Sequence, residues 1–102
     1  MKVAILPSAI ADLIRGRYFH DRLESGLGLR FLENLMAEID RLETTAGIHE
    51  LHFGYHRALA NRFHQNIYYK LDGDTAIVWR ILDQRFDPRR IESALRPPPA
   101  EE

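Results

Sequence analysis

The side chains best suited to chemistry lie between Arg57 and Pro88. Five polar residues of this stretch could share one open face of a sheet: Arg62, His64, Asn66, Arg80 and Arg85. A histidine can transfer a proton near neutral pH, and guanidinium groups can stabilise charge that develops on a phosphate. Exposed strands are normally polar, so a solvated sheet face explains the same pattern without chemistry.

The sequence offers little for metal or cofactor binding. His49, His52 and His56 are spaced by three and four residues, which would suit zinc if the segment were helical. Gly47 and Gly54 indicate a loop instead. The chain has no cysteine, which excludes disulfides, thiolate zinc sites and a cysteine nucleophile. It also lacks a phosphate-binding glycine loop, a nucleophile elbow and a paired-carboxylate signature, so we predict no metal and no cofactor.

Composition indicates one small domain. The chain has 102 residues, of which 45% are hydrophobic, and a formal net charge of −1. So small a core is near the lower limit for independent stability, and so balanced a charge gives no global attraction for nucleic acid. Neither a secretory leader nor an apolar run of membrane-spanning length is present, so we expect a cytoplasmic protein. The expected domain covers residues 1–96, and the proline-rich tail at 97–102 is predicted to be disordered.

A β-hairpin is the strongest structural signal. Two apolar, β-rich runs flank Asp72-Gly73-Asp74. We predict a three-residue loop, because that register pairs Ile67 with Trp79 and Asn66 with Arg80 and keeps polar groups together. A two-residue Asp72-Gly73 turn would instead place Arg80 among apolar side chains, where an unpartnered charge is costly.

The remaining elements position this hairpin. A strand at residues 2–6 precedes a helix opened by Pro7, and a second helix follows the break at residues 25–28. The first helix is predicted to leave Asp12, Arg15 and Asp21 outside its apolar stripe. That stripe comprises Ile10, Leu13, Ile14, Arg17 and Tyr18. Residues 48–55 are predicted to be irregular, with a strand over 56–60 and a short helix over 89–95.

This order, β-α-α-β-β-β-α, predicts an α+β fold. It consists of an antiparallel sheet with an N-terminal strand, a two-helix antiparallel hairpin packed on one face, a three-stranded C-terminal meander and a short C-terminal helix. The other face of the sheet is expected to be open to solvent.

Local sequence adds a family resemblance that covers nearly the whole chain. The relevant motifs are Pro7 at the first helix, Gly26-Leu27-Gly28-Leu29-Arg30-Phe31-Leu32 at the second, Arg62-Phe63, Ile67-Tyr68-Tyr69 and Arg85-Phe86-Asp87-Pro88. In this order and spacing they are similar to the RelE/ParE toxins of type II toxin–antitoxin systems. The resemblance implies a growth-inhibiting toxin, of the kind linked to plasmid stabilisation, that a small antitoxin encoded beside it neutralises, with a heterotetramer or a higher complex as the expected assembly.

Two modes of action occur in that family. RelE-like members cut mRNA in the ribosome with clustered basic residues, whereas ParE-like members bind DNA gyrase. The RelE-like pattern is incomplete here, since Lys2 and Lys70 are the only lysines, Asn66 and Phe86 stand where arginines are expected, and Glu92 lies near the place of a stacking tyrosine. We therefore predict a ParE-like toxin that is not itself an enzyme. The alternatives are a ribosome-dependent mRNA endonuclease centred on Arg57, His64 and Arg85, and an inactive relative that only binds antitoxin.

Two sets of contact residues are predicted. The corner after the hairpin, Arg85, Phe86, Arg89 and Arg90, is the candidate for target binding. Tyr18 and Phe19 on the first helix are the candidate anchors for an amphipathic antitoxin segment.

Overall fold

The computed structural model describes residues 1–96, so the predicted tail at 97–102 lies outside the described residues. The elements in chain order are β1 (Lys2–Ile5), α1 (Pro7–Leu23), α2 (Leu27–Asp40), α3 (Leu42–Thr45), β2 (Leu51–His52), β3 (Tyr55–Ala60), a 3₁₀ turn (Asn61–Phe63), β4 (Gln65–Asp72), β5 (Thr75–Asp83) and α4 (Pro88–Leu95). One five-stranded sheet has the order β1-β5-β4-β3-β2. The predicted α+β architecture is confirmed. None of the helices within residues 1–96 has the length and apolarity needed to cross a membrane.

The sheet differs from the prediction in two details. It is mixed rather than wholly antiparallel, because β1 pairs with β5 in parallel. The segment predicted to be irregular contains the short strand β2, which pairs with β3 across a turn at Phe53 and Gly54. Both turn residues have positive φ, and this backbone conformation lets the chain reverse within two residues.

Helices α1 and α2 form the predicted antiparallel hairpin, and two glycines set how closely they pack. A Cβ on Gly16 would lie 2.3 Å from the ring of Phe31. A Cβ on Gly28 would lie 2.3 Å from the carbonyl oxygen of Arg17. The carboxylate of Asp21 accepts a hydrogen bond from the Gly28 amide at 2.9 Å and so caps the start of α2. The helix pair is therefore held at one separation and one register.

The predicted apolar stripe of α1 was wrong. Helix α1 buries Ala9, Asp12 and Leu13. Three other members of the predicted stripe face solvent, with exposed fractions of 45% for Ile10, 50% for Ile14 and 60% for Tyr18. The burial of Asp12 has a physical cause, because its carboxylate binds Arg80 of β5.

The hairpin forms with a different register from the predicted one. Asp72 pairs with Thr75, so the loop contains only Gly73 and Asp74, and Gly73 has the positive φ that a type II′ turn requires at its first position. A β-bulge then shifts the register between Tyr68 and Tyr69. Beyond the bulge Ile67 pairs with Ile81 and Asn66 with Leu82. A two-residue turn was expected to place Arg80 among apolar side chains. The bulge removes this conflict, because it changes the direction in which the side chains beyond it point.

Two hydrophobic cores cover the two faces of the sheet. The larger core joins the sheet to α1 and α2 and contains Leu13, Phe31, Leu35, Ile67 and Val78 among others. The smaller core lies on the face that was expected to be open. There α4 packs onto the sheet, and the buried members are Tyr55, Tyr68, Leu82, Ile91 and Leu95. The prediction of an open face was thus wrong, because Ile91 and Leu95 give the short last helix an apolar side that must be buried.

Candidate functional site

A basic groove lies between α1, the end of β5 and the β5–α4 corner. Its volume is about 390 Å³. The lining residues are Asp12, Arg15, Gly16, Phe19, His20, Gln65, Arg80, Ile81, Leu82, Asp83, Arg85, Phe86 and Arg90. Four guanidinium groups and two carboxylates line it, which leaves an excess of two positive charges when His20 is neutral. We call this set of residues the basic groove.

The inner wall of the basic groove is an ion pair between distant parts of the chain. Arg80 donates to both carboxylate oxygens of Asp12, from Nε at 2.7 Å and from Nη2 at 2.9 Å. The same carboxylate accepts from the backbone amide of Ile81 at 2.9 Å and from Arg15 at 2.6 Å. Arg80 also donates to the carbonyl of Ala94 in α4 at 2.8 Å. Hydrogen bonding to Asp12 raises the pKa of Arg80, so this guanidinium stays charged and ties α1, β5 and α4 together.

A second ion pair stands at the outer rim. Arg85 donates to Asp83 from Nε at 2.9 Å and from Nη2 at 2.8 Å, and its backbone amide binds the same carboxylate. Hydrogen bonds from the Arg85 side chain hold the pKa of Asp83 below its ordinary value. The pair lies within one turn of chain, so it orients the guanidinium of Arg85 at the surface without joining separate elements.

The remaining rim combines aromatic rings with the guanidinium of Arg90. The guanidinium carbon of Arg90 lies 3.8 Å from the ring centre of Phe86, a cation–π distance. Among residues 1–96, no carboxylate pairs with Arg90. On the opposite wall, Phe19 is about half exposed and contacts the edge of the His20 ring at a centroid distance of 5.2 Å. His20 itself stacks on Phe31 at 4.5 Å, which fixes its position between α1 and α2.

The basic groove brings together residues that were predicted for two different contacts. Arg85, Phe86 and Arg90 of the target set and Phe19 of the antitoxin set all line it. Arg89 lies outside it and pairs with Asp87 at 3.2 Å. Tyr18 is also outside, on the solvent-facing side of α1. Sequence reasoning missed Asp12, Arg15 and His20 as site residues, and no local signal could have found them, because their role depends on how α1 lies against β5.

The five polar residues expected on one open face are in fact dispersed. Asn66 is buried and donates to the hydroxyl of Tyr68 at 3.2 Å. Arg62 lines a separate cavity against α2, and Arg80 is held by Asp12.

The candidate nuclease centre is only partly assembled. His64 lies close enough to Asp83 for its charge to influence that carboxylate, and Asp83 binds Arg85. Arg57 is on β3 opposite Tyr68, and Tyr68 in turn pairs with Arg80. Adjacent strands are about 4.8 Å apart, so Arg57 stands two strand spacings from β5 and outside the basic groove.

The three histidines with zinc-like spacing do not form a common cluster on a helix. His49 lies in the loop before β2, where its ring binds the hydroxyl of Tyr69, and His56 in β3 stacks on that tyrosine at 5.1 Å. Burial lowers the pKa of His49, with a further contribution from His56. Within residues 1–96, no group of three histidine, aspartate or glutamate side chains is placed to hold a metal ion.

Comparison with known proteins finds similarity at the level of structure. No family model matches the sequence, and no curated protein matches it. Among solved structures, the chain is similar to one described as a chromosomal ParDE TA system from P. aeruginosa, with a TM-score of 0.72 and 16% sequence identity. The alignment covers 79% of this chain and 92% of that one. At this identity the likeness concerns the fold alone, and the chain therefore shares its fold with that solved chain.

Proposed function

We propose that this chain is the toxin of a bacterial type II toxin–antitoxin pair and that it acts in a ParE-like way, by binding DNA gyrase. The observation that carries the proposal is the shared fold with a chain of a ParDE system over most of both lengths. The sequence motifs that resemble those of RelE/ParE toxins are independent of this structural likeness, and they agree with it.

The exposed side of α1 supports an antitoxin partner. Ile10, Ile14 and Tyr18 follow one another at four-residue spacing and are about half exposed or more. Phe19 and Leu23 add further exposed apolar surface toward the end of the same helix. A continuous apolar strip on a small protein is typical of an interaction surface, and it fits the apolar side of an amphipathic segment. Tyr18 and Phe19 remain the proposed anchors.

The ion pairs and positions of the basic residues favour protein binding over RNA cleavage. A nuclease needs cations free to stabilise a developing phosphate charge, beside a general base. Here Arg80 and Arg85 are both engaged by aspartates, and Arg57 stands apart from them. The proposed contact with gyrase is the corner formed by Arg85, Phe86, Arg89 and Arg90.

The mode of action can be tested by pulse labelling in bacteria just after the chain is induced without its antitoxin. Incorporation of thymidine and of methionine is measured at the earliest times. We expect DNA synthesis to fall first. An early fall of protein synthesis would instead support the mRNA endonuclease, and unchanged synthesis of both would point to a relative that only binds antitoxin.

The proposed corner has a direct genetic test. We expect the double variant Arg85→Ala, Arg89→Ala to lose most of its growth inhibition, because both guanidinium groups are exposed at the corner. Arg41→Ala is a control of the same chemical type, since Arg41 is exposed at the far end of α2. Full toxicity of the double variant at equal expression would show that the corner is not the contact.

A further inference from the structure

We infer that the basic groove receives an acidic side chain of the antitoxin, with Arg90 as the cation that binds it, the Asp12-paired Arg15 as a further positive charge of the lining and Phe19 as the adjoining apolar contact. This inference rests on the proposed function, and it goes further by assigning a chemistry and a place to the contact. It concerns a side of α1 different from the solvent-facing strip of Ile10, Ile14 and Tyr18.

The charge balance of the basic groove indicates an anionic occupant. Arg85 has its own aspartate, and Arg80 and Arg15 share the carboxylate of Asp12. Arg90 has no carboxylate partner within residues 1–96. One further carboxylate would lower the excess of positive charge that the lining carries. It would also give Arg90 the bidentate acceptor that a guanidinium group binds best.

The shape of the basic groove indicates a side chain rather than an extended polymer. Its volume of about 390 Å³ is at the small end of the range for ligand sites. Phe86 holds the guanidinium of Arg90 at a cation–π distance, so less side-chain freedom is lost on binding. Phe19 on the opposite wall provides apolar surface for a residue that neighbours the acidic one.

Nucleic acid fits this groove less well than an acidic peptide. Binding a backbone requires several cations in a row that neutralise successive phosphates. The groove has an excess of only two positive charges, and Asp12 and Asp83 place carboxylates within it. The net charge of the whole chain is −1, so no wider field would compensate.

Titration calorimetry between the full chain and the antitoxin encoded beside it tests the inference. The variants are Arg90→Ala and Arg15→Ala, with Arg41→Ala as the control that removes an equally exposed charge elsewhere. We expect Arg90→Ala to weaken binding about tenfold or more and Arg15→Ala to weaken it several-fold, with the control within about twofold. Thermal melting of each free variant verifies folding, and Arg90→Glu serves if the alanine variant is unstable.

Salt dependence separates charge from packing. When salt is raised from about 50 to about 300 mM, the affinity of the unmodified chain should fall more steeply than that of Arg90→Ala. Equal salt dependence of the two chains would overturn the inference, as would an Arg90→Ala affinity equal to that of the control. Tight, Arg90-dependent binding of a uridine decamer by the free chain would overturn it in favour of nucleic acid. Absence of any complex with the antitoxin would instead contradict the proposed function.

Discussion

Arg80 and Arg85 each donate two hydrogen bonds from Nε and Nη2 to an aspartate, with all four distances between 2.7 and 2.9 Å. The surroundings of the two pairs differ. In the Arg80 pair the side chains of arginine and aspartate are 22% and 5% exposed, whereas in the Arg85 pair they are 70% and 18% exposed. In sequence, Arg80 and its aspartate are 68 residues apart, whereas Arg85 and its aspartate are two residues apart.

This difference shows that equal geometry does not imply equal function. The Asp12–Arg80 pair joins α1 to β5, and removing one partner would leave a largely buried charge without its counter-charge. The Asp83–Arg85 pair orients a cation at the surface, where water and salt screen it. The first pair builds the wall of the basic groove, and the second presents a side chain at its rim.

The largest expected effect comes from breaking the inner pair. Asp12→Ala should lower the free energy of unfolding by about 3 kcal/mol, because it leaves Nε and Nη2 of Arg80 and the amide of Ile81 without their acceptor. Urea denaturation measures this value. Asp40→Ala, at an exposed position of α2, is the control and should change stability by less than about 0.5 kcal/mol. A loss below about 1 kcal/mol for Asp12→Ala would mean that the inner pair contributes no more than an exposed surface pair.

Double-mutant cycles compare the coupling energies of the two ion pairs directly, and the expected energies are smaller than the loss for Asp12→Ala. We expect a coupling energy of about 2 kcal/mol between Asp12 and Arg80, and below about 1 kcal/mol between Asp83 and Arg85. Raising salt to about 1 M should remove most of the Asp83–Arg85 coupling and retain most of the other. If salt reduced both couplings in the same proportion, burial would not be the cause of the difference.

The smallest expected effect concerns how the free energy of unfolding depends on pH. The pKa of Asp83 is lowered in the folded chain, so its pair contributes stability above the ordinary value of 3.8 and loses it as pH falls through the lowered folded value. Asp83→Asn should therefore cost a few tenths of a kcal/mol at about pH 7 and less near pH 3. Urea denaturation of both chains at the two pH values provides the measurement. A stability difference between the unmodified chain and Asp83→Asn that grew toward low pH would contradict this prediction.

The order of elements could be predicted from the sequence because each signal is local. Pro7 opens α1, the break predicted at residues 25–28 is found at residues 24–26, and the apolar runs around Gly73 form the hairpin. The strand register could not be predicted, since the bulge beside Tyr68 depends on both strands at once. The short β2 carries too few residues for any periodic pattern.

The site could be predicted only in part, for a related reason. Phe19, Arg85, Phe86 and Arg90 are recognisable from the sequence as aromatic and basic residues near helix or strand ends. Asp12 was expected outside the core because an aspartate is rarely buried without a partner. Its partner lies 68 residues further along the chain, and only the folded structure brings Arg80 to it.

The glycine contacts between α1 and α2 have a consequence for recognition. Phe31 occupies the space where Gly16 lacks a Cβ, and Gly28 lies against the backbone of Arg17. Rotating α1 about its axis to bury Ile14 would bring a larger residue into one of these close contacts. The helix therefore cannot turn its apolar strip inward when no partner is present. A partner that bound this strip would need no rotation of α1, so the rate of association should be limited by diffusion and orientation rather than by rearrangement of the chain.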